Sequence, residues 1–288
     1  MSTQRSPGDR THRLGSHLRD IRDGLGLTLT TAAARLHMSR AALSRLETGS
    51  STAKPKDVAY LLLQYGVTDE VLRKKLMNLA EAPRRQADLI RRFPALQGVG
   101  GNIGMELDAA YSHWFHLQFV PRHLQTLDYA RAIFASSTLG HQEIQKRIEQ
   151  RMAHQAAFFG LDDRLRHHAI IPEWVLHQNL GGPVVMAGQL RALIHAVANG
   201  KTHLQVLALS QTHPPEIGSS FVVFDFAPGD FSLVMADSLL GARRIEDDSE
   251  IGVYKQAWLD LKDASLPQDS SVDKIEQILQ QCECRMTA

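Results

Sequence analysis

Cysteine is nearly absent from this 288-residue chain: its two thiols, Cys282 and Cys284, stand together in "CECR" near the C-terminus. Their number and spacing exclude a disulfide framework. They read as reduced tail thiols, since the sequence sets no partner group for a metal or redox role beside them. Long hydrophobic runs are missing as well. No stretch approaches the roughly 20 apolar residues of a membrane helix. The opening "MSTQRSPGDRTHRLG" carries no apolar segment of the export type, so a cytoplasmic protein without a membrane partner is expected. The glycines at 98, 100, 101 and 104 lack both a strand before them and a Gly-Lys-Ser/Thr after them, which excludes a phosphate loop and leaves a linker. The 14 histidines are scattered. His113 and His116 in "HWFH" would share a helix face at i, i+3 but imply no third ligand, and with His167 and His168 they read as structural residues, not a metal site.

What is present fits two soluble domains. The chain is 43% hydrophobic and 22% charged, an ordinary globular composition, and its length exceeds that of most single cores. The net charge of +1 hides an asymmetry: residues 1–92 carry 17 Lys and Arg against 9 Asp and Glu, leaving 15 against 22 for residues 93–288. A basic head therefore precedes an acidic remainder, which suggests a polyanionic partner for the head.

The head reads as five short helices. Leu14, Leu18, Ile21 and Leu25 form one amphipathic stripe that Gly24 and Gly26 end. Thr28 caps a second helix in "LTTAAARL", whose alanines admit close helix packing. His37 and Met38 form a break, and Ser39 caps a third helix, "RAALSRLE", stopped by Gly49. Pro55 opens a fourth helix ended by Gly66, and Thr68 caps a fifth, "DEVLRKKLMNLAE". The second and third helices have helix-turn-helix spacing. In the third, Ala42, Leu43 and Leu46 point inward, whereas Arg40, Ala41, Ser44 and Arg45 point outward, where a recognition helix meets base edges in the major groove.

"LTLTTAAARLHMSRAALSRLETG" resembles the Xre/lambda-repressor-like helix-turn-helix in Leu27, Thr28, Leu36, Ser39, Ser44, Arg45, Leu46, Glu47 and Gly49. It departs at Ala32, where that family usually has Leu, and at His37, where the turn usually has Gly. The resemblance implies a structural pair between Arg22 and Glu47, and DNA-backbone contacts from Thr28, Thr48, Ser50 and Lys54; Ser39 either caps its helix or holds a phosphate. Further along, "VPRHLQTLDYARAIF", "RIEQRMAHQ", "PEWVLHQNLGGPVVMAGQLRALI" and "FVVFDF" resemble actinomycete regulators that join such a head to a C-terminal domain of unassigned function. Those relatives often have Pro-Gly-Leu-Leu-Gln-Thr where this chain has Pro121, Arg122, His123, Leu124, Gln125 and Thr126.

The remainder mixes signals. "MELDAAYSHWFHLQ", "LDYARAIFAS", "HQEIQKRIEQRMAHQAAFF" and "PVVMAGQLRALIHAVAN" read as helices, and "HHAIIPE", "HLQVLAL", "SFVVFDF" and "DFSLVMAD" as strands, the last two forming a hairpin. Ile251, Tyr254, Trp258 and Leu261 make one late helix stripe, and Val272, Ile275 and Leu279 another. The expected fold is multi-domain: an all-α five-helix head in residues 1–80, a linker in 81–104, and a larger α+β domain in 105–288 with an antiparallel sheet. Gln125, Arg151, Gln155 and Glu173 are candidate pocket residues, with Arg147, Arg151 and Gln155 on one helix face. A structural role for them outweighs catalysis, and "SVDK" at 271–274 lacks the companion motifs of an acyl-enzyme.

The sequence therefore predicts a non-enzymatic, sequence-specific transcription regulator. It needs no cofactor, binds double-stranded DNA at an inverted repeat as a homodimer, and its C-terminal domain senses a small molecule or a small partner protein. The competing reading makes that domain an enzyme or a pure interaction platform that the head localises.

Overall fold

The computed structural model of the chain describes residues 10–97, 106, 109–135, 137–160, 166–200, 202–211, 217–226, 231–239 and 241–287. The glycine cluster from 98 to 104 lies outside them. The chain divides into two compact units, Met1–Arg92 and Phe93–Ala288.

The first unit is helical: α1 (Arg10–Gly24), α2 (Leu29–Arg35), α3 (Arg40–Glu47), α4 (Pro55–Gln64) and α5 (Glu70–Arg92). Leu14, Leu18, Leu36, Leu43, Val58, Leu61, Leu62 and Leu76 form its core. Ala32 is fully buried, so the departure from Leu is accommodated by close packing. Leu25, expected in the α1 stripe, is 46% exposed, because α1 ends one residue before it and the chain turns through Gly26 at φ +68. The cap of α5 is Asp69 rather than Thr68: its Oδ1 accepts from the backbone N–H of Val71 at 2.8 Å and of Leu72 at 3.2 Å. A carboxylate at that position also complements the helix dipole. Residues 81–92 continue α5, with Ala82 and Leu89 extending its buried stripe.

The second unit is built on a six-stranded sheet: β1 (Tyr111–Phe115), β2 (Arg166–Pro172), β3 (His203–Leu207), β4 (Phe221–Asp225), β5 (Ser232–Ala236) and β6 (Arg243–Ile245), in the order β3-β2-β1-β4-β5-β6. α6 (Leu127–Phe134), α7 (His141–Gly160), α8 (Pro183–Ala198), α9 (Asp248–Ala264) and α10 (Gln268–Thr287) complete it, with single helical turns at Pro94–Leu96, Arg122–Leu124 and Glu173–Leu176.

Two expectations are corrected. "YSHWF" is strand β1, not helix: it pairs parallel with β2 and antiparallel with β4, and two neighbouring strands outweigh five residues' local preference. The sheet is mixed rather than antiparallel, because helices connect β1 to β2 and β2 to β3, and such crossovers return the chain in the same direction. The β4–β5 hairpin forms as expected.

Strand alternation gives the sheet two apolar faces. Trp114, Ala169, Ile171, Leu204, Val206, Val222 and Phe224 join a core with residues of α6, α7, α8 and α10, and Phe115, Ile170, Leu207, Phe221, Val223 and Val234 join another with residues of α9. The α10 stripe is Ile275, Ile278 and Cys282, with Val272 and Leu279 at its margin, so Cys282 is a core residue rather than a tail thiol. No helix among the described residues is long and apolar enough to cross a membrane.

Candidate functional site

In the head, Ser39 is extended (φ −71, ψ 146), and its Oγ accepts from the backbone N–H of Ala42 at 3.1 Å. This cap satisfies an orphan N–H and fixes where α3 starts. The turn before it passes through His37 at φ 52, a left-handed conformation that a side chain with Cβ adopts at a cost. On α3, Leu43 and Glu47 are buried and Ala42 and Leu46 partly so, while Arg40, Ala41 and Arg45 are exposed and Ser44 is half-buried.

α1 fixes α3 from behind. A Cβ at Gly15 would stand 2.5 Å from the carbonyl oxygens of Leu46 and Glu47, so the two backbones touch where only glycine fits. The structure also brings Arg22 and Glu47 together. The guanidinium donates from Nε to Oε1 at 2.7 Å and from Nη2 to Oε2 at 2.9 Å, with both residues buried. Nη1 donates to the Leu27 carbonyl at 2.8 Å and to Asp23 at 2.5 Å. The hydrogen bond to Glu47 holds Arg22 above its ordinary pKa despite burial, and burial pushes the Tyr65 phenol up to about 12.

The expected backbone-contact residues lie around the ends of α2, α3 and α4. Thr28 caps α2 by accepting from the Thr31 N–H at 3.2 Å. Thr48 donates to the Ser44 carbonyl at 2.9 Å and meets the Ser50 hydroxyl at 3.0 Å. Lys54 precedes Pro55 at the start of α4, is exposed and makes no capping bond.

In the second unit, three of the four candidate pocket residues meet. Arg151 Nη1 donates to Gln125 Oε1 at 2.7 Å, and Gln155 Nε2 donates to the carbonyls of His123 at 2.8 Å and Gln125 at 2.9 Å. Gln125 Nε2 donates to the Val120 carbonyl at 2.6 Å. Glu173 lies elsewhere: it accepts from the Leu209 N–H at 2.8 Å and faces Lys274 at 3.5 Å and His177 at 3.4 Å. Burial raises its carboxyl, but these donors more than offset that and hold it below its ordinary value. Both of its oxygens are engaged within the fold. Arg147 bonds Glu143 on the surface, and the Ser271 hydroxyl of "SVDK" donates to the Leu266 and Pro267 carbonyls while accepting from Val206 N–H.

Around Arg151 sits a cluster that sequence reasoning missed. Glu106, buried, accepts from Arg122 on Oε1 and pairs with His154 Nε2 on Oε2, the latter at 2.7 Å. Burial alone would raise its pKa, but Arg122 and His154 overcome that and hold it at about 2. The Arg122 guanidinium lies 5.4 Å from the Trp114 ring, which stacks on His116 with centroids 5.8 Å apart. His123, 0% exposed, is packed between Trp114 at 4.4 Å and Phe158 at 4.6 Å, and neither of its ring nitrogens has a hydrogen-bond partner. Arg122 Nε, His116 Nε2 and His154 Nδ1 are likewise buried and unpartnered. His167 Nδ1 pairs with the Ser112 hydroxyl at 2.7 Å. Burial pushes His116 and His167 down to about 3 and His123 well below its ordinary value.

Alternation along β1 and β2 explains why the histidines split. His113 and His168 face α9, in register with His203 on β3, whereas His116 and His167 belong to the cluster on the other side. The shared helix face expected for His113 and His116 therefore does not exist. Among the described residues, no group of three or more His, Cys, Asp or Glu is arranged to hold a metal ion.

Two family models match the chain. One, described as a helix-turn-helix domain, covers residues 13–76; the other, described as a domain of unknown function (DUF5753), covers residues 102–277. No curated protein and no solved structure matches it.

Proposed function

Since the chain belongs to the DUF5753 family and carries a helix-turn-helix domain ahead of the family domain, we propose that it is a sequence-specific, DNA-binding transcription regulator. Its C-terminal unit joins two copies and senses a small molecule or a small partner protein. The observation that carries the DNA-reading part is α3. Its start is pinned by Ser39 and its back is clamped to α1 by Gly15 and the Arg22–Glu47 pair, so that Arg40, Ala41 and Arg45 project from a rigid helix with Ser44 beside them. Arginine matches the paired acceptors of guanine, and the Ala41 methyl suits a thymine methyl. Thr28, Ser39, Thr48, Ser50 and Lys54 then position the head on phosphates without reading sequence.

Energetics favour pairing. One recognition helix contacts few base pairs, and two heads on an inverted repeat are the usual remedy, the second contact being intramolecular once the first has formed. In this reading the head acts in the cytoplasm and the chain performs no catalysis.

Binding-site selection with the full chain tests it. Arg40→Ala costs about 1 to 3 kcal/mol on the preferred site and flattens preference at one base pair, whereas Lys54→Ala weakens all sequences alike and lowers the salt slope by roughly one. The same selected motif from the parent, Arg40→Ala and Arg45→Ala would remove α3 as the reader. Sedimentation of the full chain as a monomer at micromolar concentration would remove the pairing.

A further inference from the structure

We infer that the cluster formed by Arg122, Arg151 and His116 in the C-terminal unit is a binding site for the carboxylate or phosphate group of a small anionic molecule. The inference deepens the sensing reading above and rests on it for any effect at DNA.

The first observation is a charge imbalance. Two guanidiniums stand here, yet Glu106 is already committed: Oε1 to Arg122 and Oε2 to His154. Arg151 bonds only a neutral amide oxygen, that of Gln125, and its remaining face lies 5.0 Å from the Phe134 ring. No carboxylate among the described residues pairs with it. A half-buried guanidinium without a counter-anion is costly, and burial together with the charge of Arg122 lowers Arg151 to about 10. Asp237 is more than half exposed, and its Oδ2 stands 3.9 Å from His116 Nδ1, too far for a hydrogen bond.

The second observation is independent of charge. Arg122 Nε, His116 Nε2 and both nitrogens of His123 are buried without partners, although buried polar atoms are satisfied in the great majority of proteins. With no hydrogen bond at Nδ1, the His116 ring is free to carry its proton on Nε2 as a donor. An oxyanion would take up the Arg122 and His116 donors and neutralise the surplus guanidinium together. Water would meet the hydrogen bonds but leave the charge, and a neutral ligand would do the same. The Arg122 side chain is 43% exposed above Trp114, although its Nε and His116 Nε2 are themselves buried.

Trp114, under Arg122 and stacked on His116, is a built-in reporter. The full chain is titrated with sodium phosphate and, separately, with sodium succinate, each against sodium chloride of matched ionic strength, following tryptophan fluorescence and the melting of the C-terminal unit. At saturation at least one anion raises that Tm by about 5 °C beyond chloride and changes the fluorescence. Phosphate acting alone identifies a phosphate group, and succinate acting alone a carboxylate. Arg151→Gln loses the response, Arg151→Lys keeps it with about tenfold weaker binding because it retains the charge but not the fork, and Trp114→Phe keeps the Tm shift while losing the fluorescence change. The proposal is overturned if neither anion exceeds chloride, or if Arg151→Gln, or Arg151→Lys should the former not fold, binds as tightly as the parent. Affinity for the selected DNA is then measured with and without the active anion. An unchanged affinity refutes the sensing reading and leaves the anion site standing.

Discussion

Replacing Glu47 by alanine removes both acceptors of a guanidinium that is 6% exposed. Arg22 Nε and Nη2 lose their bonds of 2.7 and 2.9 Å, while Nη1 keeps the Leu27 carbonyl and Asp23. Two buried donors left unmet cost about 1 to 3 kcal/mol each, and breaking a buried ion pair by deleting one partner costs about 3 to 5 kcal/mol. Asp23 still offsets part of the charge but is half-exposed and screened, so the loss settles at about 3 kcal/mol. A head of this size holds roughly 4 to 12 kcal/mol in total. Urea unfolding of the full chain, followed through the head transition, therefore shows the midpoint of Glu47→Ala falling by about 2 to 3 M at an m-value of about 1 kcal/mol/M. The double variant Arg22→Met, Glu47→Leu removes the charge as well as its partner and recovers to within about 1 kcal/mol of the parent. A midpoint shift under about 0.5 M would show the pair to be energetically a surface bridge, and a double variant as weak as the single one would show that packing rather than charge holds α1 to α3.

His37→Gly relieves the left-handed strain at φ 52 and raises the head's stability by about 1 kcal/mol; a lower urea midpoint would mean that the His37 side chain contributes more than its backbone costs. His123→Leu exchanges an imidazole with two unmet buried nitrogens for an apolar side chain among Trp114 and Phe158, gaining about 1 to 3 kcal/mol, read as a higher Tm of the C-terminal unit and contradicted by a Tm that falls. Acid should weaken the same unit: His167 stays neutral down to about 3 when folded but takes a proton near pH 6.5 when unfolded, so its contribution is complete above about pH 7 and is lost as pH falls towards 3, about 2 kcal/mol of it by pH 5. Chemical denaturation at pH 7.5 and pH 5 checks this, and a midpoint for the C-terminal unit that does not move would rule out a buried neutral histidine.

The two units were not equally legible, and the reason is the distance along the chain over which each is assembled. α2 and α3 are specified within about twenty residues by two hydroxyl caps, Thr28 and Ser39, and a glycine stop, each acting on a neighbour within a turn or so. Those signals survive in the sequence whatever else the chain does, and even the odd backbone of His37 could be foreseen from the glycine it replaces. β1 has no such autonomy. "YSHWF" sits beside helix-forming residues, and only pairing with β2 and β4, from segments more than fifty residues away, decides that it is a strand. The consequence spreads to chemistry. Once β2 is a strand, adjacent His167 and His168 must face opposite sides of the sheet, a consequence already contained in the strand reading of "HHAIIPE". Placing His116 beside Trp114 required β1 as well. Glu106, Arg122 and His154 meet across separations of 16 and 48 residues, beyond the reach of any local pattern. One trace was nevertheless present. The resemblance implies Gly-Leu at this turn, whereas Arg122 and His123 stand there, and a cation and an imidazole packed on Trp114 and Phe158 carry a desolvation cost that the described residues do not return. Donors left unmet in the fold, beside a guanidinium that bonds only a neutral amide oxygen, are what the proposed anion takes up.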